Sequence, residues 1–97
     1  MRDIEELKAI LKEHKHALEN KYGVKTIGVF GSYIKKRENK TSDIDIMVEF
    51  QNAIDLLTFV HLKNYLSDLL DINVDLVMKK ALKPKIGERI LKEVVYI

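Results

Sequence analysis

Two short segments with the two-residue period of a strand, separated by a polar stretch that opens on glycine and serine, constrain this chain more than any other feature. Residues 26–30, Thr-Ile-Gly-Val-Phe, are apolar and bounded by polar neighbours, as expected of a buried strand. Residues 43–50, Asp-Ile-Asp-Ile-Met-Val-Glu-Phe, alternate charged and apolar side chains, which places Asp43 and Asp45 on one face of a second strand. Gly31 and Ser32 then form a strand-to-helix turn, ten residues before Asp43. Glycine there lets the backbone approach a ligand. Ser32 can cap the helix that follows, and the free N–H groups of its first turn suit a phosphate.

Two carboxylates about 7 Å apart along a strand repel each other and raise each other's pKa unless a cation lies between them. Magnesium typically binds one or two carboxylates together with substrate phosphates, the combination that this turn and strand present. The chemistry indicated is phosphate-ester chemistry on a nucleotide. A bare Asp-x-Asp also occurs in calcium loops, but Ile44 between the aspartates, the alternating strand and the missing loop glycine argue against an EF-hand.

The flanking sequence supplies a frame. Ile4, Leu7, Leu11, His14 and Leu18 recur at steps of three and four and predict one amphipathic helix, opened by Asp3 with Glu6 three residues later and closed at Gly23. His14 and His16 lie about 200° apart on that helix and cannot chelate one metal; they and the isolated His61 read as ordinary surface or core-edge histidines. Residues 33–37 predict a short helix and 38–42 a polar loop. Residues 55–70 form a long amphipathic helix with Leu56, Phe59, Leu62 or Lys63, Leu66, and Leu69 or Leu70 on its stripe. Residues 72–78 alternate again, and Asp75 interrupts an otherwise apolar strand. Burying a lone carboxylate is costly, so Asp75 asks for a partner such as a shared metal, unless it lies at the surface. Pro84 fits the first position of a last helix running to about Glu93. The apolar tail of residues 94–97 should add a short strand or pack on a partner.

With 97 residues the chain reads as a single domain, residues 1–97, with one core. It has no cysteine, no apolar run of membrane length and no signal-peptide pattern, so a cytoplasmic, non-membrane protein is expected. A net charge of +2 suits a nucleotide ligand and falls well short of a dedicated nucleic-acid binder.

Taken together, these residues resemble the minimal nucleotidyltransferases (MNT) of the DNA polymerase β superfamily that pair with HEPN-domain proteins. Gly-Ser after a strand, the ten-residue spacing, Asp-x-Asp on a strand and a later strand aspartate occur in the superfamily's order. Residues 73–77 resemble the strand with the third aspartate, and residues 81–93 the closing helix. The resemblance covers nearly the whole chain. It implies an α+β (α/β mixed sheet) polymerase β-like nucleotidyltransferase fold: a small mixed β-sheet with flanking helices, in the order helix, strand, short helix, strand, helix, strand, helix. It further implies that Asp43, Asp45 and Asp75 are catalytic and hold two Mg²⁺ ions, and that Gly31, Ser32 and Lys35 bind the phosphates of the substrate ATP. AMP would pass to a hydroxyl, a tyrosine, of a cognate HEPN toxin, whose antitoxin this chain would be, in a possible homo- or hetero-oligomer. The sequence departs from many relatives where Ile34-Lys35-Lys36-Arg37 replaces Ala-Arg-Gly-Glu: Lys35 matches the family's cation, and Lys36 replaces a helix-ending glycine. Two alternatives remain. One is an antitoxin that acts by binding alone; the other is a small-molecule transferase of the aminoglycoside-modifying kind with a separate acceptor-binding subunit.

Overall fold

Asp3 opens the first helix as expected, its carboxylate accepting the Glu6 N–H at 2.9 Å. The computed structural model describes residues 3–31 and 43–97, so the short helix and loop expected over residues 33–42 lie outside the described residues. The single first helix expected from the apolar stripe is in fact two, α1 (Ile4–Glu13) and α2 (Lys15–Tyr22). His14 breaks it. Its backbone turns to φ −101° and ψ 10°, its N–H reaches the Ile10 and Leu11 carbonyls, and its ring Nδ1 lies 2.9 Å from the Ile10 oxygen. Leu7, Leu11 and Leu18 are nevertheless all buried, so the apolar stripe runs through the break. Gly23 ends α2 in the left-handed conformation, φ 68°.

Strand β1 (Val24–Phe30) pairs antiparallel with β2 (Ile44–Phe50), and β2 pairs parallel with β3 (Val74–Met78). A parallel neighbour needs a crossover, which α3 (Leu56–Leu70) supplies. A one-turn 3₁₀ segment (Lys79–Ala81) leads from β3 towards α4 (Pro84–Glu93), which starts on proline as expected. The tail then forms β4 (Val95–Tyr96), antiparallel to β1, and completes a mixed sheet in the order β3-β2-β1-β4. Of the two fates open to the tail, it takes the strand. Ile97 N–H donates to the Ile27 carbonyl at 2.9 Å, and Lys15 Nζ donates to the Ile97 carbonyl at 3.2 Å.

One face of this sheet makes the core. Ile27 and Val29, Ile44, Ile46 and Val48, and Val74 and Leu76 pack with Leu7, Leu11, Leu18, Leu62, Leu66 and Leu70 from the helices. The register shifts between Val24 and Thr26, an irregularity that lets both Val24 and Ile27 face the core. On α3 the buried positions are Leu62, Leu66 and Leu70, one per turn, whereas Leu56, expected on the stripe, is 76% exposed. The first turn of α3 therefore projects beyond the core. Asp55 caps it by accepting the Thr58 N–H at 2.7 Å, and Asp71 ends it with φ 54°, the conformation for which glycine is suited. Among the described residues no helix is long and apolar enough to cross a membrane.

Candidate active site

The candidate site residues lie on the sheet's other face. Because side chains alternate along each strand, the pairing sets them out in rows across the sheet. Phe30, Asp45 and Asp75 form one row, Gly28, Met47 and Val77 the next, and Thr26 and Glu49 a third. The sequence period thus delivers Asp45 and Asp75 to adjacent positions on neighbouring parallel strands. Asp43 stands one residue before β2 begins, at the mouth of the same strand end.

Asp45 is half-buried, and Asp43 and Asp75 are exposed. Asp75 lies between buried Val74 and Leu76, but the strand turns its carboxylate out of the core, so burial is not what makes it ask for a partner. Asp45 carries that role. Burial first, then the charge of Asp75, a hydrogen bond shared with Asp75, and the charge of Asp43 push its pKa from 3.8 up to about 6. Three carboxyl groups crowd one strand end.

Gly31 completes the corner. With φ 80° it adopts a conformation that other residues rarely take, and a Cβ placed on it would run into the Asp45 carboxylate. The backbone after β1 therefore passes directly over Asp45. Ser32 and Lys35, expected to bind phosphate with Gly31, lie outside the described residues.

Among the described residues no group of three His, Cys, Asp or Glu side chains is gathered closely enough to hold a metal on its own. The donor set nevertheless fits magnesium. Two of its preferred hard oxygen ligands stand side by side on rigid strands, where burial and neighbouring carboxylates disfavour the charge of Asp45 that a divalent cation would offset, and substrate phosphates ordinarily supply the remaining ligands. No described histidine joins this corner: His14 binds a backbone carbonyl within its own helix.

Two features escaped the sequence reading. Gly28 lets the backbone of β4 come close: a Cβ there would meet Val94 Cγ2 at 2.5 Å and the Val95 carbonyl oxygen at 3.2 Å. A glycine inside an apolar strand is the signal that could have found it. Glu49 accepts from the Thr26 hydroxyl at 3.1 Å and lies 4.0 Å from Lys79 Nζ, making a polar row at the far end of the same face; the charge run that begins at Lys79 was its signal.

Residues 5–97 match the family described as Polymerase beta, Nucleotidyltransferase. Protein adenylyltransferase MntA of Thermococcus cleftensis is 46% identical over 97 residues, spanning 100% of this chain and 98% of that protein. A solved structure described provisionally as a minimal nucleotidyltransferase superposes with a TM-score of 0.81 at 33% identity, covering 97% of this chain and 95% of that one. The MNT-containing structure of a tri-AMPylated Shewanella oneidensis HEPN toxin with its antitoxin superposes with a TM-score of 0.66 at 22% identity, over 93% of this chain and 70% of that one, a likeness of fold.

Proposed function

The chain belongs to the polymerase beta nucleotidyltransferase family, and from that premise we propose that it transfers AMP from ATP to a tyrosine hydroxyl of a cognate HEPN-domain toxin and so acts, in the cytoplasm, as its antitoxin. The observation that carries this reading is the Asp45–Asp75 pair in register beneath Gly31. The adenylyltransferase name of the Thermococcus relative supports the AMP transfer, and the HEPN toxin seen with an MNT antitoxin supports the class of partner.

Asp43, Asp45 and Asp75 are the residues that would hold magnesium, two ions with ATP. When bound, the metal neutralises charge on the triphosphate and acidifies the attacking hydroxyl. Burial and the neighbouring carboxylates hold the Asp45 pKa up at about 6, so a cation bound there would favour its ionised form. Gly31, with no side chain over Asp45, leaves the triphosphate room against the backbone, and Ser32 and Lys35 complete the phosphate contacts. Asp75, exposed at the outer side of the pair, receives the proton of the acceptor hydroxyl. The tyrosine oxygen forms a bond to the α-phosphorus while the bond to the bridging oxygen of pyrophosphate breaks.

Incubating the chain with its HEPN partner, ATP and Mg²⁺ and weighing the partner by mass spectrometry tests the reading. An AMP adduct on tyrosine, lost with Asp45→Asn, is the expected result. A partner silenced without any gain in mass would identify an antitoxin that works by binding alone, and adenylylation of an aminoglycoside would identify a small-molecule enzyme.

A further inference from the structure

Beyond the aspartate corner, the described surface holds a cleft of about 650 Å³ between the far ends of β2 and β3 and the start of α4. Its apolar wall includes Phe50, Met78, Leu82 and Leu91. Leu91 of α4, which lines the cleft, is 40% exposed. The rim is basic. Six Lys or Arg against two Glu leave residues 79–93 with a net charge of +4, so the rest of the chain carries −2 of the total +2. Lys79 faces Glu49, whereas Lys80 and Lys83 are exposed and make no ion pair among the described residues. Glu49 lies four residues along β2 from Asp45, about 13 Å at strand rise, and on the same face of the sheet.

We propose that this cleft and its lysine rim dock an acidic, amphipathic segment of the acceptor protein, whose apolar side chains enter the cleft while its carboxylates meet Lys80 and Lys83. The inference rests on the reading above that the acceptor is a protein. The cleft has room for a few large apolar side chains but not for a whole helix, which is how an amphipathic segment seats on a groove. The net charge of +4 over residues 79–93 favours an acidic partner and speeds its approach. Docking here places the acceptor within about 13 Å of the transfer site without covering it, so binding energy remote from the reacting atoms serves to position the hydroxyl.

The test measures affinity for the HEPN-domain partner by titration calorimetry without ATP, using the full chain and Lys80→Glu/Lys83→Glu, together with ATP affinity and transfer. Partner affinity should fall on the order of tenfold or more and lose much of its salt dependence, with ATP affinity unchanged. Lys80→Gln/Lys83→Gln should give a smaller loss in the same direction, and it serves as the readout if the reversed charges disturb folding. Unchanged partner affinity in a folded variant overturns the proposal even where transfer is intact. An equal loss of ATP affinity overturns it by assigning the lysines to the nucleotide. Binding of a 20-nucleotide single-stranded RNA that is abolished by the same substitutions, with partner binding retained, overturns it in favour of a nucleic-acid surface. Because docking is read without ATP, absence of any AMP adduct would refute the transfer chemistry and leave the docking result standing.

Discussion

Replacing Asp45 with Asn should stabilise the metal-free protein near neutral pH and leave it unchanged in acid. In the folded chain the Asp45 carboxyl titrates at about 6, against its usual 3.8. Well below pH 3.8 it is protonated in both folded and unfolded states and contributes no difference. As pH rises through about 4 to about 6 the unfolded state ionises first, and the folded state is progressively penalised for burying a charge and placing it beside Asp75 and Asp43. The penalty is complete above about 6. Two pKa units correspond to a ceiling of about 3 kcal/mol, which screening by solvent at a half-exposed group reduces to about 1–2 kcal/mol. Asn keeps the shape and a hydrogen-bonding group for Asp75 while removing the charge. Urea unfolding in EDTA should therefore show Asp45→Asn more stable than the unaltered chain by about 1–2 kcal/mol at pH 7.5 and nearly equal to it at about pH 3. Magnesium at pH 7.5 should raise the stability of the unaltered chain and do little for the variant. A stability difference that is the same at both pH values, or a variant destabilised only at pH 7.5, would refute the account of the paired carboxylates.

Gly31→Ala should cost about 1–2 kcal/mol for the positive φ and weaken magnesium binding as well, because the new methyl group displaces the Asp45 carboxylate; urea unfolding and a magnesium titration check the two effects. Asp71→Gly should raise the urea midpoint and Asp71→Val lower it, by up to about 1–2 kcal/mol, since position 71 ends α3 with φ 54°. Deleting Tyr96 and Ile97 removes the β4 pairing and the Ile97–Ile27 hydrogen bond, so it should lower thermal stability while leaving partner affinity, measured below the melting temperature, unaltered. Leu66→Ala, at a fully buried position on α3, should cost about 2–5 kcal/mol in a denaturant titration.

Much of this structure can be read from period and spacing. The alternation around Asp45 and Asp75 specifies which face of each strand they occupy, and a single crossover helix then brings them side by side. The left-handed ends at Gly23 and Asp71 follow from where the apolar patterns stop. Other features are invisible to periodicity. The apolar stripe of the first helical segment continues through His14, so nothing in the pattern marks the break. Leu56 is as apolar as Leu62, and only the extent of the sheet beneath α3 decides that one is covered and the other is not. Val94 to Ile97 were equally suited to a strand or an interface, because what settles the matter is Gly28, more than sixty residues earlier. A net charge of +2 also conceals the basic segment after β3, because charge averages over a chain and function does not.

The pairing of β4 with β1 bears on how the chain acquires its shape during synthesis. Residues 24–30 leave the ribosome early, yet the strand that closes their outer edge comes from residues 95 and 96. At about 5–20 residues per second, that edge stays open for roughly 3–13 s after β1 is made, with unpaired peptide groups that could template the edge of another chain. Lys25, exposed beside the register shift, puts a charge on the open edge, and Gly28, with no side chain, offers a neighbouring chain little to pack against. The notch that admits the tail also makes the nascent strand a poor seed for aggregation.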